Sequence, residues 1–440
     1  MRDPCNGRRS VRAVPGRNRA ERGAPPVTAD RSRAVRGIAR RYEPGPAGNG
    51  VPTVILSTQH VRELNTARIL RTLRENGPLS RAQLAEISGV RRSTIGAITK
   101  RLMTLNVLEE REPAPDGARG RPATPLWFGS RAAPCGAIAI SRDEIDVAVV
   151  NARGDILARN VSDLDPDVDV ENIDRAVVTL LRETAKDFRG ELVKIGVSVP
   201  GVADHTTGEI TSCPQLPALV GTHLSEAISA GTGVTAVVDD DSHGSALGEQ
   251  FFGGGRGHAS FATIQTGFGI GAGIVIDGTI IRGPAGLSTE VGHTCVDRFG
   301  AVCNCGLRGC WETIAATGWV RQAAADAGLK DATSITIARL TALAQAGQKD
   351  AARLLEQYAE NIGIGLANLA QTLCIQRFIL HGHAIQGGEG LRRQIEAATQ
   401  RRVLQARRAH VIVELSQMAD RAGVFGAAAI ALATALPVRA

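Results

Sequence analysis

The stretch EVGHTCVDRFGAVCNCGLRGCWE, Glu290 to Glu312, carries one imidazole and three thiols at close spacing: His293, then Cys303, Cys305 and Cys310. One nitrogen and three sulfurs make a natural tetrahedral zinc set, and three thiolates mark the site as closed and structural rather than catalytic. Gly292, Gly306 and Gly309 let the backbone fold tightly around an ion. Cys295 is an alternative to His293 as a ligand. Eight cysteines in 440 residues are too few for a disulfide scaffold, so the cluster points to metal chemistry in a reducing compartment. The ion would hold the two bracketing carboxylates, Glu290 and Glu312, rigidly near one pocket.

Upstream, Asp239-Asp240-Asp241 ends a predicted strand at Val234–Val238. Three adjacent carboxylates repel one another unless a ligand, a cation or strong donors offset the charge. One of them is a candidate general base; plain strand-end caps are the other reading. Gly267-Phe268-Gly269-Ile270-Gly271-Ala272-Gly273 has a glycine at every second position, as either a phosphate loop or a tight hairpin with close strand packing. Carboxylates and an imidazole around a cleft suit a polyhydroxylated ligand such as a sugar.

From residue 135 onward strands and helices alternate. Ala137–Ile140 and Ile145–Val150 read as a hairpin, and Lys194–Val199, Phe261–Gln265, Ile274–Ile276 and Phe378–Leu380 as further strands. Helices are predicted at Val170–Asp187, Thr313–Ala327, Ile335–Ala346, Ala351–Leu373 and Arg421–Leu436. Two α/β lobes around a cleft fit this length.

Residues 58–128 have a different character. Val61, Leu64, Ala67, Ile69, Leu70 and Leu73 form a helical stripe that Gly77-Pro78 stops. Ser80 and Gln83 are spaced as a capping box for a second helix, with Leu84, Ala85 and Ile87 inward and Gly89 at its end. A third helix runs from about Arg91 to Leu105, with Ile95, Ile98, Leu102 and Leu105 on one face. Val107–Glu110 and Leu126–Phe128 then make a two-stranded wing. Such a winged helix-turn-helix lays its third helix in the major groove of DNA. Arg91, Arg92, Ser93, Thr94, Ala97, Lys100 and Arg101 make up the polar face of that helix. Arg92, Ser93, Thr94 and Ala97 are the base-reading candidates, while Lys100 and Arg101 suit phosphates. In the wing, Arg119-Gly120-Arg121-Pro122 suits a narrow minor groove.

Charge follows the same division. The chain carries +7 overall, spread as +8 on residues 1–50, +5 on 51–130 and −6 on 131–440. A basic front on an acidic body fits a polyanion met by the N-terminal part only. Residues 1–57 are expected to be a disordered Arg-rich extension, either without function or a non-specific DNA-binding arm. Aromatics at 3% argue against stacking platforms for single strands. The longest apolar stretch, Ala422 to Leu436, is shorter than the roughly 20 residues of a spanning helix. No apolar segment follows the N-terminal arginines as in a secretory signal. A cytoplasmic protein without membrane contact is expected.

Taken together these residues resemble the transcriptional-regulator branch of the ROK family (repressors, open reading frames and kinases). Glu290-Val291-Gly292-His293 and Cys303 to Glu312 look like the family signature, and Val199-Pro200-Gly201-Val202 and Pro214-Gln215-Leu216-Pro217 match familiar stretches. The resemblance covers about residues 58–437. It implies an α/β fold in three parts: the extension 1–57, a winged helix-turn-helix over 58–130, and a two-lobed, actin-like, hexokinase-type domain over 131–440 with structural zinc. It places Asp241 on the family's catalytic aspartate and Glu290, His293 and Glu312 on sugar-contacting positions. Asp240 stands where the kinases carry a sugar-binding asparagine; an ionised carboxylate accepts but cannot donate.

The departures fall in the ATP site. The kinases open with Asp-x-Gly-Gly-Thr, where this chain reads Ile140-Ser141-Arg142-Asp143-Glu144. Phe268 replaces a phosphate-contacting threonine, and His381-Gly382-His383 stands where three glycines are usual. The expectation is a regulator, repressor in sign, that binds double-stranded operator DNA as a homodimer or homotetramer and responds to a small sugar. The alternative is an ATP-dependent sugar kinase with Asp241 as general base and an appended DNA-binding domain; an effector that is a partner protein is the third reading.

Overall fold

The computed structural model describes residues 58–112, 123–165, 169–186, 188, 190–283 and 289–436. The extension 1–57 and the wing segment holding Arg119 and Arg121 lie outside them.

The N-terminal module has three helices, α1 (Thr58–Asn76), α2 (Arg81–Ser88) and α3 (Arg92–Thr104), and a wing of β1 (Leu108–Glu110) antiparallel to β2 (Leu126–Phe128). Ser80 and Gln83 form the full capping box at α2, and Gly89 ends that helix in the left-handed conformation at φ +67°. Leu70, Leu73, Leu84, Ile95, Ile98, Leu102, Leu108 and Leu126 fill the core. Three apolar positions differ from expectation. Val61, Ile87 and Leu105 are 43%, 51% and 59% exposed. Val61 lies in the first turn of α1 and Leu105 is the C-cap residue of α3. Ser88 and Val90, not Ile87, are buried at the α2 turn.

Next come β3 (Cys135–Ile140), β4 (Glu144–Val150), β5 (Ile156–Asp163), α4 (Val170–Lys186), β6 (Lys194–Val199), β7 (Val202–Ala203), β8 (Ile210–Ser212), α5 (Leu224–Thr232) and β9 (Ala236–Asp240). They are followed by α6 (Asp241–Phe252), β10 (Phe261–Thr266), β11 (Ile270–Ile276) and β12 (Thr279–Ile280). The remaining elements are α7 (Glu312–Ala315), α8 (Thr317–Asp326), α9 (Ile337–Gln345), α10 (Lys349–Thr372), β13 (Arg377–Gly382), α11 (Gly388–Arg402), β14 (Ile412–Leu415) and α12 (Ala422–Ala435).

Two five-stranded sheets share one topology. In the order β5-β4-β3-β6-β9, an antiparallel meander is extended by two parallel strands, and β12-β11-β10-β13-β14 repeats the pattern. Each sheet is the floor of one lobe. The first lobe packs β3, β4 and β6 against α4 and α5. The second packs β10, β11 and β13 against α8 to α11. The helix α12 crosses the first sheet so closely that a Cβ at Gly196 of β6 would fall 1.9 Å from the Ala427 carbonyl oxygen.

Several boundaries differ from expectation. The strand before the aspartates begins at Ala236 and takes in Asp239 and Asp240, because Gly233, at φ +73°, first closes α5. The helix expected over Thr313–Ala327 is broken at Ala316, which is extended at ψ 170°. The glycine stretch is mostly strand. Gly271 and Gly273 lie in β11 against α6, where a Cβ would fall 2.6 Å from Ser242 Oγ and 2.2 Å from Ser242 O respectively. No helix among the described residues is long and apolar enough to cross a membrane.

Candidate functional site

The recognition face of α3 is open. Arg91, Arg92, Ser93, Ala97, Lys100 and Arg101 are exposed and Thr94 is half-buried, while Ile95, Ile98, Thr99 and Leu102 are buried on the opposite face. A short helix anchored along one stripe can present that polar face to a groove.

The cysteine stretch folds as a compact knuckle, with an isolated bridge between Val302 and Arg308 and another between Cys295 and Cys310. Gly309, at φ +72°, passes so near Asp297 that a Cβ would lie 1.6 Å from its carbonyl oxygen. One ligand atom from each of His293, Cys303, Cys305 and Cys310 lies within 4.8 Å of the others. Cys303 Sγ is 3.5 Å from His293 Nδ1, and Cys305 Sγ is 3.6 Å from Cys310 Sγ. Metal–ligand bonds of about 2.0–2.3 Å in a tetrahedron require ligand separations of about 3.5–3.8 Å, and these two separations match such an ion. Cys295 is not part of the group.

The same knuckle carries the carboxylates. His293 Nε2 lies 3.8 Å from Glu290 Oε2, and its Nδ1 lies 3.6 Å from Glu312 Oε1. Asp240 and Asp241 approach from the junction of β9 and α6. The Asp240 carboxylate caps α6 by accepting the His243 N–H at 2.7 Å. Burial, then the neighbouring charge of Asp240, pushes the Asp241 carboxyl up to about 7. Burial also raises Glu290, with Asp240 and Glu312 adding to it. All five sugar-site candidates thus belong to one electrostatic cluster.

A second layer was missed in the sequence. His243 is fully buried, with Nδ1 2.7 Å from Asp239 Oδ1 and Nε2 3.1 Å from the Ile281 carbonyl. Its Nδ1 also lies 2.7 Å from Asp240 Oδ2. Burial would lower its pKa, but the two carboxylates outweigh that and hold it near 9, as an imidazolium. Arg282 donates to Asp239 Oδ2 from Nε at 3.1 Å and Nη2 at 2.5 Å. Burial of Asp239 is outweighed in turn by His243 and Arg282, which keep its carboxyl below the ordinary range. Two cations therefore balance Asp239 and Asp240. The only signal in the sequence was the unexplained aspartate triplet.

At the glycine loop, Phe268 is 61% exposed. Its ring lies 6.1 Å from that of His383 and 5.9 Å from the Arg321 guanidinium. Thr317 Oγ1 donates to the Gly267 carbonyl at 2.8 Å and sits 2.9 Å from His383 Nδ1. At the first strand turn, Ser141 N–H and Oγ both donate to the Glu144 carbonyl.

The ROK family profile matches residues 135–434, and a winged helix-turn-helix DNA-binding profile matches residues 62–109. The xylose repressor of Caldicellulosiruptor bescii is 25% identical over 390 residues, covering 86% of this chain and 97% of the relative. The N-acetylglucosamine repressor of Escherichia coli O6:H1 is 26% identical, with 83% and 91% covered. Among solved structures, a ROK family transcriptional regulator described as a homologue of the E. coli Mlc protein superposes with a TM-score of 0.72. It is 25% identical, with 86% of this chain and 98% of that chain covered.

Proposed function

This chain belongs to the ROK family, and from that premise we propose that it is a transcriptional repressor whose body senses a small sugar. Residues 58–130 read double-stranded operator DNA and residues 131–440 hold the effector. The observation that carries this reading is the union in one chain of an open, basic α3 face with a cluster of carboxylates and imidazole that runs from buried Asp240 to exposed Glu290. Arg92, Ser93, Thr94 and Ala97 contact bases; Arg91, Lys100, Arg101, Arg119 and Arg121 contact backbone or minor groove. Asp240, Asp241, Glu290, His293 and Glu312 accept the sugar's hydroxyls.

His293, Cys303, Cys305 and Cys310 would hold a zinc ion, which supplies a fixed cross-link that orients Glu290 and Glu312. Three features support a sensor over a kinase: a first turn without glycine, Phe268 in the glycine loop, and His383 beside it. Bulk replaces backbone donors there, and phosphoryl transfer depends on such positioning. The raised carboxyl of Asp241 is the one feature that favours a kinase, since it suits a general base. ADP release over a sugar panel separates the two; turnover that vanishes in Asp241→Asn would replace the sensor reading.

The deciding experiment is fluorescence anisotropy with DNA from upstream of its own gene. D-xylose, D-glucose, N-acetylglucosamine and sugar phosphates are added in turn. One of them is expected to shift the operator affinity several-fold. Operator binding that no sugar alters would end the sugar-sensor reading, and no binding to this DNA would end the repressor reading. The active species is a homodimer or homotetramer, which light scattering of the DNA-free protein reads directly.

A further inference from the structure

Two elements run side by side from the carboxylate cluster to the DNA-binding domain: α6 and the β11–β12 hairpin. At the pocket end His243 Nε2 of α6 meets the Ile281 carbonyl just past β12, and the next residue, Arg282, pairs with Asp239 of β9, whose other carboxylate oxygen lies 2.7 Å from His243 Nδ1. At the far end Gln250 Nε2 of α6 donates to the Gly278 carbonyl of the hairpin turn at 2.9 Å. Seven helical residues separate His243 from Gln250, about 10 Å of rise. Three extended residues separate Gly278 from Ile281, again about 10 Å. The two rails therefore match in length and are tied at both ends.

Both far ends meet α1. Arg71 lies on the hairpin turn, where a Cβ at Gly278 would fall 2.3 Å from its guanidinium. Arg74 stacks on Phe251, the penultimate residue of α6, with 4.3 Å from guanidinium carbon to ring centre. Arg256 closes the joint. Its Nε donates to the Arg74 carbonyl at 3.0 Å, and its guanidinium lies 5.2 Å from the Trp127 ring of the wing. Arg74 is buried; among the described residues its Nε has no hydrogen-bond partner, while its Nη2 lies 3.6 Å from Glu75 Oε1. A desolvated, incompletely bonded guanidinium makes this a joint of limited stability.

Behind α6 the backbone of α12 comes close. Cβ atoms at Gly244 and Gly248 would lie 3.7 and 3.2 Å from the Gly426 backbone of α12, and the Phe252 and Phe425 rings pack 5.1 Å apart beside them.

We propose that α6 and the β11–β12 hairpin form a paired lever that transmits occupancy of the carboxylate pocket to the DNA-binding domain through Arg71 and Arg74. The role assigned to the pocket end rests on the sugar-site reading above. A ligand that binds Asp240 and Asp241 acts on α6 directly and on the clasp through His243, whose Nδ1 lies 2.7 Å from Asp240 Oδ2, and the displaced rails change the seating of α1. The shift is bounded by the ligand's differential affinity for the two seatings.

The lever can be tested without any sugar, so a chain that responds to none can still support or overturn it. Hydrogen exchange is followed by mass spectrometry on the full chain and its Arg282→Gln variant. Exchange in the last turn of α1 (Arg71–Asn76) and around Phe251 is expected to rise at least threefold, with α10 unchanged. Arg377→Gln, which breaks an ion pair to Glu414 elsewhere in the second lobe, should leave α1 as it was. A folded Arg282→Gln protein whose α1 exchanges like the parent overturns the proposal, as does an equal rise in Arg377→Gln. If Arg282→Gln does not fold, Phe251→Leu is read in the opposite direction, because coupling is reciprocal. Faster exchange at the His243 amide supports the lever, and no change there overturns it.

Discussion

The indole of Trp311 lies flat against Gly365 of α10, so close that a Cβ there would fall 2.1 Å from the ring. Its Nε1 donates to the Asn361 carbonyl at 2.8 Å, and the ring is fully buried. This contact sets the position of the residues on either side of the indole, Cys310 and Glu312. The proposed metal ligand Cys310 and the proposed pocket carboxylate Glu312 are thus both hung from one glycine of the second lobe.

Gly365→Ala is expected to destabilise the protein by about 1–3 kcal/mol, the usual cost of overpacking a filled core. Thermal denaturation followed by circular dichroism checks it. A melting temperature equal to that of the parent would show that the indole can move aside.

Purified protein is expected to carry about one zinc per chain, measured by inductively coupled plasma mass spectrometry. Cys305→Ser should lower both the metal content and the melting temperature, because a structural site contributes folding energy outright. A metal-free chain melting with the parent would refute the structural role.

On α3, Arg92→Ala is expected to cost about 1–3 kcal/mol of operator affinity and to relax specificity at one base pair. Lys100→Ala should instead weaken all sequences alike and reduce the salt slope by about 1. Anisotropy titrations at several salt concentrations against operator and scrambled DNA separate the two. Equal losses on both DNAs for Arg92→Ala would move it to the phosphate contacts.

Asp241 makes stability depend on pH. Its carboxyl titrates near 7 in the folded chain against an ordinary value of 3.8. Between those values the unfolded chain holds fewer protons, so this group's contribution falls as pH rises from about 4 to 7. Asp241→Asn removes that loss and should be more stable than the parent by on the order of 2–4 kcal/mol at pH 8 relative to pH 4. The His243 contribution is shared by both proteins at these pH values; it is full below about 6.5 and lost as pH rises through about 9. Urea titrations at pH 4, 6 and 8 check the difference, and a constant gap would contradict the assignment.

What was legible in the sequence was local. His293, Cys303, Cys305, Cys310 and Glu312 lie within 20 residues, and glycines at the tight turns announce how they converge. The capping box at Ser80 and the stripe of α3 are likewise complete within one helix turn or two. The clasp was not legible, because Arg282 reaches Asp239 across 43 positions and neither residue type is unusual. The joint was further out of reach. Arg256 meets the Arg74 carbonyl across 182 positions, and an arginine in the last turn of a helix reads as a solvated end. Exposure of Val61, Ile87 and Leu105 shows the same limit, since periodicity marks apolar positions without saying where the core stops.

The last described helix has a consequence for the order in which the protein is made. Residues 422–435 lie across β3 and β6 and against α6, and Ala429 to Leu432 belong to the core shared with the DNA-binding domain. During synthesis the first sheet is complete by Asp240, yet one of its faces stays bare until nearly 200 more residues have left the ribosome. The nascent first lobe must therefore remain partly open, and the core it shares with the DNA-binding domain stays incomplete until translation is almost finished. A chain terminated before Ala429 would carry the whole recognition helix without that part of the shared core.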